Sequence, residues 1–378
     1  MLLSRPARLL IISVLLHAAV GTAQTPPPDP AATALIARLE LPEAATASRQ
    51  SPRWRKPSKI ALSLSPIAGA PAADALARYR KVIGDIELVT FSGNDFSAVR
   101  DADVIIGFCS PELLRAAKEL RWLHNIGVGV ERCALAPEVA QYDFILTNNQ
   151  RISGPTIAEH AMALLLSLAT GMQHYVANQT RATWSTALPA PLVRTDLEGK
   201  TLLVAGLGGI GTEVARRAHG LGMRVIATRN SGHTGPDYVE YVGLPDELLT
   251  LAARADVVVN ALPLTRETTA VFDQTFFRAV KHGSWFLSVG RGQSTVTAAL
   301  TAALQDGTLA GAGLDVLDPE PLPAGHPLWQ MPNVIITPHV SALSEVASER
   351  RDILIIENLR RYLAGDKLLN IVDIRAGY

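Results

Sequence analysis

The run Thr201-Leu202-Leu203-Val204-Ala205-Gly206-Leu207-Gly208-Gly209-Ile210-Gly211 constrains this chain more than any other stretch. Its first five residues read as a buried strand. Residues 212–221 have helical spacing, and 224–228 read as a second strand. In such a strand–helix–strand unit Gly206 permits the tight turn, Gly208 lets the backbone approach a pyrophosphate, and Gly211 lets the helix pack closely. Around Gly209 and Ile210 the helix N-terminus offers unpaired N–H groups and a positive dipole end to phosphates. A glycine turn alone is weak evidence; between strand and helix it points to a bound dinucleotide.

The end of the second strand bears on which dinucleotide. An NAD site has an acidic residue there, about 20 residues past the first glycine, to accept from the ribose 2′-OH. This chain has Thr228-Arg229-Asn230-Ser231 and no carboxylate. Arg229 would pair with a 2′-phosphate, and Ser231 could add a hydrogen bond. The plain alternative is a solvated arginine beside an undiscriminating site. NADP(H) is the favoured expectation and NAD(H) the alternative.

The rest of the chain alternates in the same way. Strand-like runs fall at 59–64, 86–91, 103–108, 122–126 and 144–147, with helical spacing over 72–82. A helix is expected over 156–176, a second alternating series over 201–337, and a last helix over 344–364. Parallel strands need crossover helices, so the expected fold is α/β with two doubly wound, Rossmann-like domains. A length of 378 residues suits two domains. Equal numbers of basic and acidic side chains, 35 of each, leave no electrostatic footprint for nucleic acid. Two cysteines, Cys109 and Cys133, are too few for a Cys-ligated zinc site, and no metal is expected. They are expected to be free, partly buried thiols.

The N-terminus has a different composition. Arg5 and Arg8 precede an apolar run at 9–20 and then Gly21-Thr22-Ala23. That order is the pattern of a secretory signal peptide, with cleavage expected after Ala23. The apolar run is too short to span a bilayer, which takes about 20 residues. Export to the periplasm or medium is expected, with a cytoplasmic location as the alternative. Residues 24–57, opening on Pro26-Pro27-Pro28, read as a Pro/Ala-rich linker with one short helix at 31–40.

Three strand ends in the second series carry candidate chemistry. Val289-Gly290-Arg291-Gly292 places Arg291 on the rim where α/β sheets bind ligands, and Gly313-Leu314-Asp315-Val316-Leu317-Asp318-Pro319-Glu320-Pro321 carries Glu320 into a loop. Thr337-Pro338-His339 does the same for His339. An imidazole that titrates near neutrality, a carboxylate to orient it and a guanidinium to hold a substrate carboxylate suit hydride exchange at a carbonyl. Singly, each could be a structural ion pair or a loop residue; their shared placement favours chemistry. Pro263 and Thr268 join the expected cofactor-binding set.

The Gly206–Gly211 loop, Gly290-Arg291-Gly292, residues 315–321 and Thr337-Pro338-His339 together resemble the D-isomer-specific 2-hydroxyacid dehydrogenases over about residues 58–378. The resemblance implies a flavodoxin-like substrate domain in two segments, 58–154 and 340–378, around an inserted cofactor domain, 155–339. It implies that Arg291 binds the substrate carboxylate, that Glu320 pairs with His339, and that His339 exchanges the proton. Asp315 would hold the nicotinamide carboxamide, and Gly127-Val128-Gly129 would offer backbone N–H groups to the substrate, with Val128 and Gly129 the expected contacts. It further implies a homodimer and a small 2-oxo or 2-hydroxy acid as substrate. Glu320 disfavours formate, because the related formate dehydrogenases carry Gln there. Arg229 gives the chain the look of NADPH-using glyoxylate/hydroxypyruvate reductases. Where the family often has Asp after the glycine loop, this chain has Glu131. A non-catalytic nucleotide-sensing scaffold on the same fold is the competing expectation.

Overall fold

In the computed structural model, residues 27–64, 73–136, 139 and 141–377 are described. Helix α1 (Pro30–Leu39) starts at Asp29, whose side chain accepts from the Ala31 N–H. There follow β1 (Lys59–Ser63), α2 (Ala73–Ile83), β2 (Glu87–Phe91), β3 (Val104–Gly107), α3 (Pro111–Ala116), β4 (Trp122–Asn125), α4 (Glu131–Ala134) and β5 (Ile145–Asn148). These strands form one parallel sheet in the order β2-β1-β3-β4-β5, the flavodoxin-like arrangement.

Helix α5 (Gly154–Thr170) leaves that sheet and packs on the second. It ends at Gly171, whose φ of 68° suits glycine, and α6 (Met172–Thr180) begins there. The single helix expected over 156–176 is therefore two. Next come β6 (Thr201–Ala205), α7 (Gly209–Gly220), β7 (Arg224–Thr228), β8 (Tyr241–Gly243), α8 (Leu248–Ala252) and β9 (Val257–Asn260). The series closes with α9 (Gln274–Ala279), β10 (Ser284–Ser288), α10 (Thr297–Gln305), β11 (Leu309–Leu314) and β12 (Val334–Ile336). Their sheet is parallel throughout, ordered β12-β11-β10-β9-β6-β7-β8. Helix α11 (Glu345–Ala364) then returns to pack on α1 and α2.

Period-two alternation explains the layers. Leu202 and Val204 of β6 face a core with α5 and α7, whereas Leu203 and Ala205 face Phe272, Phe276 and Leu300. Strands buried on both faces, such as β9 with Val257-Val258-Val259-Asn260, are the signature of a sheet covered by helices on each side.

Two expectations are corrected. The stretch read as a linker is, from α1 onward, part of the packed body. Leu35 and Leu39, one helical turn apart, are buried with Leu41, Ile152, Leu354 and Leu369. The Trp54 indole donates to the Tyr362 carbonyl at 2.8 Å. Cys109 and Cys133 are not free thiols but a disulfide, with Cα atoms 5.4 Å apart. Pairing of β3 with β4 causes this, because Cys109 follows β3 and Cys133 lies in α4 just past β4. The expected signal peptide lies outside the described residues. Among those described, no helix is long and apolar enough to cross a membrane.

Candidate active site

Strand register builds the site. Ala205 pairs with Thr228 on one side and Asn260 on the other; Asn260 pairs with Ser288, Ser288 with Leu314, and Leu314 with Ile336. All these strands end level, so the loops beginning at 206, 229, 261, 289, 315 and 337 leave along one edge. In the first sheet Gly107, Asn125 and Asn148 are level in the same way. The two edges enclose a cleft of about 640 Å³. Val128 and Gly129 line it from the first sheet. Gly206, Gly208, Gly209, Ile210, Arg229, Asn230, Ser231, Pro263, Thr268, Gly290 and Arg291 line it from the second. Asp315, Glu320 and His339 are not part of that lining and stand on the adjoining rim.

The glycine loop has the geometry a pyrophosphate needs. Gly206 has φ 96°, and a Cβ there would lie 3.1 Å from the Ala261 carbonyl oxygen. A Cβ at Gly211 would overlap the Gly206 carbonyl, so the first turn of α7 sits directly on the loop. At Gly208, by contrast, a Cβ would meet nothing within 4 Å, which leaves its cleft side open to a ligand. The residues present fit a dinucleotide. Arg229 leaves β7 with its backbone N–H on the Gly243 carbonyl, and its guanidinium donates to the Thr234 carbonyl at 3.0 Å. Thr268 donates to the Pro263 carbonyl at 2.6 Å and shapes the opposite loop.

The expected substrate loop is held by asparagines that the sequence reading did not single out. Asn125 donates to the carbonyls of Gly127 and Gly129, Asn148 to that of Val128, and Asn149 to that of Ile126. With these carbonyls drawn toward the sheet, the N–H groups of Val128 and Gly129 have no protein acceptor among the described residues. The signal was present as polar residues at the ends of otherwise apolar strands.

Arg291 lies across this loop. A Cβ at Gly129 would overlap its Nη2, so glycine is required for the guanidinium to sit there. Its Nε pairs with Glu131 at 2.9 Å, and Nη1 donates to the Gly290 carbonyl at 2.8 Å. The turn carrying it is fixed by Asn260, whose amide donates to Ser288 and Ser294, while Ser294 donates to the Arg291 carbonyl.

Glu320 and His339 meet at the rim, Oε2 to Nδ1, at 2.9 Å. The other Glu320 oxygen accepts from the Leu317 N–H at 2.9 Å. Partial burial would raise the Glu320 carboxyl, but these hydrogen bonds and the nearby charge of Arg291 hold it below the ordinary range. His339 has a left-handed backbone, φ 54°, and its N–H donates to the Asp315 carbonyl. The Asp315 carboxylate, nearly fully buried, accepts from Thr337 Oγ1 at 2.6 Å and from the N–H groups of Val340 and Ser341 at 3.0 Å. Burial opposes its ionisation and those donors overcome it, so it stays charged below the ordinary range. His160 of α5, hydrogen-bonded to Thr337, stands 3.6 Å away. Asp315 is thus the anchor of the His339 loop, a role not expected from the sequence.

A cleft walled on one side by this glycine loop, with a carboxylate–imidazole pair at its rim, defines an oxidoreductase that works with a nicotinamide dinucleotide. Residues 162–341 match the NAD-binding domain model of the D-isomer specific 2-hydroxyacid dehydrogenases. A glyoxylate reductase of Korarchaeum cryptofilum is 31% identical over 283 residues, spanning 73% of this chain and 84% of that relative. A glyoxylate/hydroxypyruvate reductase B of Pectobacterium carotovorum is 30% identical over 306 residues, 80% of this chain and 95% of its own. An NADPH-dependent glyoxylate/hydroxypyruvate reductase of Sinorhizobium meliloti, solved with NADP and malonate, superposes with a TM-score of 0.70 at 26% identity. That match covers 85% of this chain and 98% of the other. The chain belongs to the D-isomer specific 2-hydroxyacid dehydrogenase family.

Proposed function

We propose that the protein reduces a small 2-oxo acid of the glyoxylate or hydroxypyruvate class to the D-2-hydroxy acid, with NADPH as its preferred donor. The Glu320–His339 pair beside a guanidinium seated on Gly129 carries this reading. When bound along the glycine loop, the cofactor supplies the hydride. The Val128 and Gly129 N–H groups and Arg291 Nη2 receive the substrate carboxylate, and Arg291 stabilises charge developing on the carbonyl oxygen. Until substrate arrives, Glu131 neutralises that guanidinium. Glu320 holds His339 through Nδ1, which leaves Nε2 to deliver the proton. Asp315 keeps the loop behind it in place. A non-catalytic scaffold has no use for such a pair and is not favoured. The test is initial rates with glyoxylate, hydroxypyruvate and pyruvate against NADPH and NADH. Turnover of none of them by the wild type, or equal use of both cofactors, would overturn the corresponding part.

Three further readings accompany this one. Residues 58–154 and 340–378 form the substrate domain, with residues 30–57 packed on it, and 155–339 the cofactor domain. The signal-like first 23 residues direct export, a reading supported by the buried Cys109–Cys133 disulfide, since such bonds persist in oxidising compartments. N-terminal sequencing of the fractionated protein checks it, and an intact Met1 form in the cytosol would refute it. Two copies associate through the face that exposes Leu166, Met172, Val176 and Trp184.

A further inference from the structure

The cleft is lined by four arginines, Arg151, Arg229, Arg291 and Arg375, and two carboxylates, Glu131 and Glu267. Arg229 stands at the end of β7, and Arg291 is engaged by Glu131. Arg375 is exposed on the tail that packs near Thr265. Arg151 differs from all of them. It comes from the connection after β5, on the opposite wall from the glycine loop, and has a left-handed backbone with φ 68°.

Its stem crosses the first residue of α7. A Cβ at Gly209 would lie 2.8 Å from Arg151 Cγ and 3.2 Å from Arg151 Cα. A Cβ at neighbouring Gly154 would lie 3.0 Å from the Gly209 carbonyl oxygen. Any other residue at 209 would push this wall away, so the glycine admits the arginine. The guanidinium is only loosely held, by the Leu39 carbonyl at 3.3 Å and by the exposed Glu40 carboxylate at 3.4 Å.

The loop Gly206-Leu207-Gly208-Gly209-Ile210 contains no cation, yet a pyrophosphate brings paired negative charge to it. Backbone N–H groups satisfy the oxygens but supply only partial charge. We propose that Arg151 closes over the cofactor pyrophosphate from the substrate-domain wall, exchanging Glu40 for phosphate. This rests on the dinucleotide reading of the cleft. A planar guanidinium meets two phosphate oxygens at once, which the carboxylate contact to Glu40 does not rival at its present length. The cofactor is then held from both walls and ties the two sheets together.

Calorimetric titration with NADP⁺ and with 2′-AMP, which lacks the pyrophosphate, tests the inference on wild type, Arg151→Met, Arg151→Lys and Arg229→Ala. Methionine keeps a stem over Gly209 and removes the charge, and a melting curve without ligand establishes that each variant is folded. Arg151→Met should weaken NADP⁺ by about ten- to a hundredfold and leave 2′-AMP unchanged. Arg151→Lys should recover part of the loss, and Arg229→Ala should weaken both ligands. In the same variant NADP⁺ should raise the melting temperature less than in wild type. Unchanged NADP⁺ affinity in folded Arg151→Met, or an equal loss for 2′-AMP, would overturn the role of Arg151. A wild type that binds neither ligand would instead overturn the dinucleotide reading, and this inference with it.

Discussion

At the scale of single residues, charge decides direction. In the proposed reduction His339 gives up a proton and in oxidation it takes one up, so the two rates should respond to pH in opposite senses. Glu320 is held below the ordinary carboxylate range, so the pair survives mild acid and is lost only as pH falls through that lowered value. Glu320→Gln keeps the shape but removes the charge that holds His339 through Nδ1, and should lower the rate in both directions. His339→Ala should lower turnover by a factor on the order of 10²–10⁴. Rate profiles in both directions check this; near-normal turnover in His339→Ala would exclude the histidine. The proposed contact of Arg229 with the 2′-phosphate makes cofactor choice a matter of charge as well. Arg229→Asp should weaken NADPH about ten- to a hundredfold and relatively favour NADH, read from KM values for the two. A mutant that keeps its NADPH preference would disprove the contact. Each of these residues could be named from sequence, because Arg229 directly follows a strand and Glu320 and His339 lie beside prolines in the loops that follow strands.

The loop at 126–129 and the strands beneath it show what elements add. Trp122 donates to Thr147 Oγ1 at 2.9 Å, so the Thr147 hydroxyl hydrogen is free for His124 Nδ1 at 2.8 Å. That leaves Nε2–H to donate to Asn149 Oδ1 at 3.1 Å, and the Asn149 amide goes on to the Ile126 carbonyl. The chain is complete only with a neutral imidazole. Burial accordingly pushes His124 down to about 4 from an ordinary 6.5. Below pH 6.5 the unfolded chain takes up a proton that the folded chain refuses, so stability should fall as pH drops toward 4. The loss is on the order of 3 kcal/mol, taking ~1.4 kcal/mol per unit. Urea midpoints at pH 7 and pH 4.5 measure it, with His124→Gln expected to lose less than wild type between the two. Equal losses would show that the carboxylates, not His124, carry the acid limb. Nothing in the order of residues 122–149 reveals this chain, since its members come from two strands that only pairing aligns.

For the whole molecule, two parallel sheets that face each other through the ends of their strands make a cleft that neither has alone. The proposed assembly with a second copy should depend on α5, α6 and the segment after them, where Trp184 is wholly exposed. Trp184→Glu should leave the monomer folded and shift the mass seen by light scattering from dimer to monomer. A wild type that is monomeric at all concentrations would dispose of that interface. The alternation of strands and helices, the glycine loop and the Arg291, Glu320 and His339 positions were determined by sequence alone, because each follows from local periodicity, turn chemistry or spacing. Tertiary structure alone decided the Cys109–Cys133 bond, the packing of α1, the His124 hydrogen-bond chain and the meeting of Arg151 with Gly209. Each joins residues that the chain separates and the sheets bring together, and a one-dimensional pattern holds no record of which edges will face.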